Sequence, residues 1–345
     1  MSRRYPARTA GLAAVAVIGL GLAACSSSGT SSPKASSSSS SSSSGGSASS
    51  GFAKNNLELI VGTKSDDFYV TMECGAQAEA KKLGAKLTIN GPADFSVPEQ
   101  APILNAVAAS KPDALMVAPT DAKALDPELQ RIQSAGTKIV FVDTSSSDTS
   151  LGVSRITTDN VGGGKVAADS LGSQIGGKGT VAVINVNPGI STTDARIQGF
   201  QAEMKAKYPN VKVLATQYDN DSAATAAGQV SSDISAHPDL AGVFATNVLS
   251  AQGAATGVQH AGKTGKVKVA TFDAEPQQIA FLKSNTIQLA VAQDPYLEGQ
   301  DAVQQALNAA NGKTVTATIG TPLQAITPAN VNSAAVQQYV YKSSC

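Results

Sequence analysis

Ala114-Leu115-Met116-Val117-Ala118-Pro119-Thr120-Asp121 is a short apolar run that stops on Pro, Thr and Asp. Pro127 to Ala135 then shows helical spacing, and Ile139-Val140-Phe141-Val142-Asp143-Thr144 is a second apolar run ending on a carboxylate and a hydroxyl. Apolar runs of this length, separated by an amphipathic stretch, read as strand–helix–strand. Such units call for a parallel sheet with helices on both faces. The rhythm extends outward. Leu57 to Val61 and Lys86 to Ile89 read as strands, and Tyr69 to Leu83 and Val97 to Ala109 as helices. After a break near Ser146 to Thr158 it restarts. Helices are expected over Val161 to Ile175, Arg196 to Tyr208, Ala223 to Ala236 and Ser250 to Ala261. Strands are expected over Val181 to Ile184, Val211 to Thr216, Gly242 to Ala245 and Val267 to Phe272. Two such runs imply an α/β protein of two doubly wound parallel-sheet lobes.

Length and charge agree. The chain has 345 residues, enough for two cores. Lys plus Arg and Asp plus Glu each number 26. The first 24 residues hold Arg3, Arg4 and Arg8 and no acid, so the remainder carries 23 basic against 26 acidic residues. A neutral-to-acidic chain has no global field for nucleic acid or anionic lipid. Three Cys and two His, without metal-ligand spacing, argue against a zinc site, and no metal or cofactor is expected.

The front end reads as targeting. Arg3, Arg4 and Arg8 precede an apolar run from Gly11 to Leu22, too short for a good membrane span. Leu22-Ala23-Ala24-Cys25 resembles a bacterial lipobox, which implies cleavage after residue 24 and a thioether-linked lipid on Cys25. Ser2-Arg3-Arg4 hints at a twin-arginine signal, but Pro6 and Ala7 follow where that signal wants apolar bulk, which favours the general secretory route. Residues 25–51 are Ser-rich, 17 of 27, with nothing to nucleate a core, and read as a disordered tether with a reach of roughly 25–30 Å. The expected location is the extracellular face of the bacterial plasma membrane.

In open α/β sheets, ligands bind outside the carboxyl ends of the strands. Here those ends carry Lys64 to Tyr69, Ala118 to Asp121, Asp143-Thr144, Asn185 to Asn187, Gln217 to Asp219, Thr246-Asn247, Asp273 and Gln293. Carboxylates and amides recur where strands stop. They suit a neutral polyhydroxylated ligand, with aromatic faces to cover a sugar ring. For any one of these residues the plainer role is capping the next helix.

Phe68-Tyr69 with Gly75-Ala76-Gln77, Ala118 to Asp121, Val142-Asp143, Asp159-Asn160 with Gly163-Gly164-Lys165, Arg196 to Phe200, His237-Pro238-Asp239, Val243 to Asn247, Phe272-Asp273 and Gln293 stand in order. From about Leu57 to Gly312 the chain resembles periplasmic sugar-binding proteins of the ribose-binding type, the soluble receptors of ABC importers. The resemblance implies the type I periplasmic-binding fold with a three-segment hinge near Thr157-Thr158, near Gln293-Asp294 and after Gly320. The first lobe would comprise 52–157 plus 294–320, the second 158–293, and 321–345 a tail crossing the hinge. In that tail, Leu323 to Ile326 reads as a strand and Ala334 to Tyr341 as a short helix. Phe68 and Tyr69 would form aromatic walls. Asp143, Arg196, Asn247, Asp273 and Gln293 would form the polar clamp. Partners would be a monosaccharide or polyol and the ABC permease with its ATPase, and the protein would act as a monomer.

The pocket departs from ribose binders. Thr144 stands where they have an Arg after the strand-end Asp, Ala118 where they have Asn, Asp66 where they have Asn, and Asp221 near where they carry an aromatic. One cation is lost and acids are gained. Ribose is therefore not the expected ligand. Another pentose, a hexose or a cyclic polyol fits better, and the acids leave room for an amine-bearing ligand. Asp219 to Ser222 reads equally as a cap for the following helix. Gly162-Gly163-Gly164-Lys165 lacks the phosphate-loop spacing and reads as a helix start after Asp159. An oxidising compartment allows Cys74 and Cys345 to pair; a buried Cys74 with a frayed Cys345 is the other reading. Competing classes are a ligand-presenting sensor receptor and a glycosidase using Asp143 and Asp273. A transcription regulator is not expected, because a Ser tail stands before Leu57 where a DNA-binding helix pair would lie.

Overall fold

A computed structural model of the chain describes Phe52 and residues 54–345. The signal segment, Cys25 and nearly all of the tether lie outside the described residues. The first half contains β1 (Asn56–Ile60), α1 (Asp67–Leu83), β2 (Lys86–Asn90), α2 (Val97–Ser110), β3 (Ala114–Val117), α3 (Asp126–Ser134), β4 (Lys138–Val142) and β5 (Ser154–Thr158). Then follow α4 (Asn160–Gln174), β6 (Gly179–Asn185), α5 (Ser191–Lys207), β7 (Val211–Val213), β8 (Gln217–Tyr218), α6 (Ala223–Ala236), β9 (Leu240–Ala245) and α7 (Val248–His260). The last part holds β10 (Lys268–Phe272), α8 (Pro276–Lys283), β11 (Leu289–Ala292), α9 (Pro295–Ala310), β12 (Thr318–Thr321), β13 (Gln324–Ile326) and α10 (Ala334–Gln337).

These strands make two sheets, ordered β12-β5-β4-β3-β1-β2 and β13-β11-β10-β9-β6-β7, with β8 also on β6. All pairs are parallel except β11 with β13. Apart from the tail strands, both sheets use the same doubly wound order, which puts the carboxyl ends of the central strands at one crevice. The chain passes between sheets three times: from β5 into α4, from β11 into α9, which packs on β3 to β5, and from β12 into β13.

Strand alternation explains burial on both faces. Leu57, Leu59 and Val61 point into one core layer and Ile60 into another, where Leu115, Val117 and Phe141 join it. In the second lobe Phe200, Phe244 and Phe272 fill one layer. Helices α4 and α5 meet through glycine. A Cβ on Gly164 would stand 2.0 Å from the Arg196 carbonyl oxygen, and one on Gly199 2.0 Å from that of Val161. The Gly triplet therefore serves close packing, and Asp159 caps α4 by accepting from the Gly162 N–H.

Several details differ from the sequence reading, among them that α5 begins at Ser191 rather than Arg196. The stretch expected as a break contains β5, whose polar residues hid it because it is wedged between β4 and β12. The strand expected over Val211 to Thr216 splits into β7 and β8, which both pair with β6. The helix expected over Ala334 to Tyr341 ends at Gln337, and a turn over residues 338–340 then leads the chain to α1. The tail strand pairs antiparallel, where the strand–helix rhythm implied parallel neighbours only. Cys74 of α1 and Cys345 are joined as a disulfide, with Cα atoms 5.3 Å apart.

Candidate functional site

The loops after the central strands of both sheets line one cavity, with about 50 Å³ open to the centre of a water-sized molecule. From the first lobe come Asp66, Phe68 and Tyr69, just after β1, and Asp143 and Thr144, just after β4. From the second come Arg196, Asp221, Asn247, Asp273 and Gln293. All ten residues singled out in the sequence line this cavity.

Each is held by a local device. Asp66 is the N-cap of α1, its Oδ1 accepting from the Phe68 N–H at 2.7 Å. This cap starts the helix so that Phe68 and Tyr69 fall in its first turn, edge to face with centroids 5.1 Å apart. Tyr69 reaches past Gly62, where a Cβ would lie 2.3 Å from its hydroxyl oxygen, and donates to Asp143 Oδ2 at 2.7 Å. Phe95 stacks on Tyr69. Thr144 turns its hydroxyl to the Pro119 carbonyl at 2.8 Å.

Asp143 and Asp273 occupy equivalent places after β4 and β10. Both have positive φ, 63° and 77°. Their N–H groups donate to Ile156 O and Val291 O, so the next strand holds each residue in the left-handed region. Strain of this kind is tolerated where surrounding structure over-determines it, and here it aims two carboxylates at one cavity.

Arg196 is buried, not the surface residue its helix position permits. Its Nε donates to Asn160 Oδ1 at 2.8 Å and its Nη1 to Thr246 O at 2.7 Å. The guanidinium lies 4.1 Å over the Phe272 ring, with Asp273 Oδ2 3.9 Å from Nη1. Asn247 caps α7 through Oδ1 and donates from Nδ2 to Asp221 Oδ1 at 2.7 Å. Gln293 donates to Asp273 Oδ1 at 2.7 Å. Among the described residues, Thr193 Oγ1 and Gln293 Oε1 are buried with no hydrogen-bond partner.

The cavity is acidic. Among its described lining residues, four carboxylates face one cation, Arg196. Burial pushes the carboxyl of Asp143 up to about 6, against the Tyr69 hydrogen bond and the Arg196 charge. Burial also raises Asp273, opposed by Arg196, Gln293 and Tyr341. Asp66 rises well above its ordinary value through burial and the nearby Asp273, and Asp221 rises through burial despite the Asn247 hydrogen bond. Carboxylates so placed act as strong acceptors toward hydroxyl pairs and, when protonated, as donors.

Residues 57–314 match the family model described as a periplasmic binding protein domain. The chain belongs to the periplasmic binding protein family. The ribose import binding protein RbsB of Escherichia coli is 30% identical over 78% of this chain and 89% of its own length. An ABC transporter solute-binding protein from Agrobacterium vitis, solved with bound alpha-D-tagatopyranose, is 42% identical with a TM-score of 0.82, over 84% of this chain and 100% of that one. A second from Agrobacterium vitis, with bound D-fucose, is 27% identical with a TM-score of 0.80, over 83% and 100%. As a class, periplasmic binding proteins bind substrates outside the cytoplasm.

In this periplasmic binding protein several polar strand-end residues stay out of the cavity and take the plainer role. Asp121 caps the turn at Lys123 and Ala124. Asn185 is buried against Thr246, and Asp219 accepts from the Ser250 hydroxyl and the Asp221 N–H. Ser222, not Asp221, caps α6. The sequence reading missed Thr63, Phe95, Ile190, Thr192 and Thr193 as lining residues and named Val186 only within a strand-end stretch. Val186 and Thr63 follow strand ends, so position alone marked them. Phe95 sits in a loop after an edge strand, where periodicity gives no signal.

Proposed function

We propose that this protein captures a monosaccharide or similar polyol between its two lobes and delivers it to an ABC importer. The observation that carries the reading is the convergence of Asp143 and Tyr69 from one lobe with Arg196, Asn247 and Asp273 from the other on one buried cavity. Carboxylate, amide and guanidinium groups from two bodies suit a ligand with hydroxyls on every edge, and Phe68, Tyr69 and Phe95 offer faces to its C–H surface. Relatives that hold tagatopyranose and fucose support a sugar cargo. Thr144 in place of a cation, with Asp66 and Asp221 added, favours a hexose or other polyol over ribose.

In this reading the lobes close about three crossovers, with residues 52–157 and 294–320 in the first lobe and 158–293 in the second. The closed form presents a composite surface to the permease and its ATPase. Cys25 carries the lipid anchor, the Ser-rich segment is the leash, and the oxidising exterior sustains the Cys74–Cys345 bond. Calorimetric titration of the purified protein with D-tagatose, D-fucose, D-arabinose, D-ribose and D-allose tests the proposal. One sugar bound 1:1 and recovered unaltered, with binding lost in Arg196→Ala, supports it. Silence across the panel in folded protein stripped of carried-over ligand overturns it.

A further inference from the structure

The polypeptide beyond β13 does more than end the chain. Strand β13 belongs to the second sheet, with Gln324, Ala325 and Ile326 registered against Ala292, Val291 and Ala290. Val331 and Val336 are buried, so the tail is packed rather than draped. At its far end, consecutive peptide groups hold opposite lobes. The Tyr341 N–H donates to Ala274 O, just after β10 in the second lobe. The Lys342 N–H donates to Thr71 Oγ1 at 2.7 Å, on α1 of the first lobe. Ser343 Oγ then donates to Asp67 Oδ2 at 2.7 Å, and Cys345 bonds to Cys74 on the same helix.

Between these anchors Tyr341 is 3% exposed. Its ring stands edge-on to Phe68, centroids 5.6 Å apart. Its hydroxyl donates to Asp273 Oδ1 at 2.9 Å and accepts from the Gln293 N–H at 3.3 Å. The oxygen of Asp273 that Gln293 holds is thus also held by the tail, and its Oδ2 stands toward Arg196. The ring that Tyr341 supports is a wall of the same cavity.

We propose that the C-terminal tail supplies a positioning residue to the cleft: Tyr341 fixes Asp273 and Phe68 in their ligand-facing poses, and the Cys74–Cys345 bond makes the tail a fourth, covalent strap between the lobes. The three crossovers of the hinge are β5–α4, β11–α9 and β12–β13. The strap leaves from the third of them and returns to α1, the helix whose first turn carries Phe68 and Tyr69. Separating the lobes with the bond intact requires the Tyr341-Lys342 junction to release one side. Cutting the bond removes the restraint that keeps that junction in place. The ligand-binding part of the inference rests on the sugar-receptor reading; the strap itself does not.

Two variants separate the roles. Tyr341→Phe keeps the ring on Phe68 and removes only the hydroxyl. It is expected to raise the Kd for the bound sugar of the panel about tenfold, the loss typical of a hydrogen bond to a charged group. A residue that merely packs would leave that Kd unchanged, which would overturn the positioning role. The paired Cys74→Ser/Cys345→Ser protein is expected to show a larger radius of gyration than the wild type in ligand-free solution scattering, and a sugar dissociation rate about tenfold faster with little change in association. Identical ligand-free scattering with and without the bond would overturn the strap, whichever sugar binds. Failure of the wild type to bind any sugar would instead remove the sugar-receptor reading and leave the scattering comparison standing.

Discussion

Asp143→Asn is expected to move stability and binding in opposite directions. Asn tolerates the left-handed backbone that Asp143 adopts at φ 63°, and its oxygen can still accept from Tyr69. The substitution therefore changes charge and little else. Burial holds the folded carboxyl at about 6 against an ordinary 3.8. The neutral acid is favoured by folding, so its contribution is complete below the unfolded value and is lost as pH rises through about 6. Each unit is worth about 1.4 kcal/mol, so ionised Asp143 costs the folded protein about 2–3 kcal/mol above pH 7. Asn pays none of this. Urea unfolding of ligand-free protein at pH 4, 6 and 8 should give a difference between variant and wild type near zero at pH 4. It should grow to about 2 kcal/mol in favour of Asn at pH 8, with unchanged m-values. Sugar affinity at pH 8 should fall by about 1.5–3 kcal/mol, because a charge-assisted acceptor is gone. A difference that stays flat with pH would refute the reasoning. So would an Asn variant less stable at pH 8, which would mean that Arg196 and Tyr69 outweigh the burial of the charge.

Arg196→Ala should abolish sugar binding and lower stability by about 3–5 kcal/mol, since it strands Asn160, Thr246 O and two buried carboxylates; denaturant midpoints and calorimetry read both. Gly164→Ala forces a Cβ against the Arg196 carbonyl and should cost roughly 1–3 kcal/mol while weakening binding, since the helix that must shift carries Arg196. Glu298 is buried, with Oε1 accepting from Thr158 at 3.0 Å and Thr321 at 2.9 Å, and burial raises its carboxyl well above the ordinary value. Its stabilising contribution is therefore lost as pH rises, and Glu298→Gln should flatten the alkaline fall in unfolding temperature while Glu298→Ala lowers that temperature at every pH. Wild-type unfolding free energy should itself decline from about pH 4 toward pH 7, because Asp219 and Glu275 are held at about 6 and about 7 by burial.

The strand–helix rhythm and the acids at strand ends were legible because they are local. An apolar run of four residues needs cover on both faces wherever it lies, and a residue after a parallel strand is committed to one edge of the sheet. That is why Asp66, Asp143, Asn247 and Asp273 could be named as site candidates and why they lie together around one cavity. Strand β5 was illegible, because its hydrogen-bond partners lie in β4 and in β12, the latter more than 150 residues further on. Whether Asp121, Asn185 or Asp219 faced the cavity was equally undetermined, since an Asp after a strand satisfies its own turn as readily as a ligand.

Sequence alone determined that two parallel sheets would form, that their strand ends would be acidic and amide-rich, and that Cys74 and Cys345 offered two thiols able to pair. Tertiary structure alone decided which of those polar ends share a cavity, that Arg196 is buried over Phe272, and that the last five residues return to α1. The difference is physical. Secondary structure follows from backbone bonding and periodic burial within a dozen residues, whereas a site assembled across two lobes depends on contacts whose sequence separation no local pattern records.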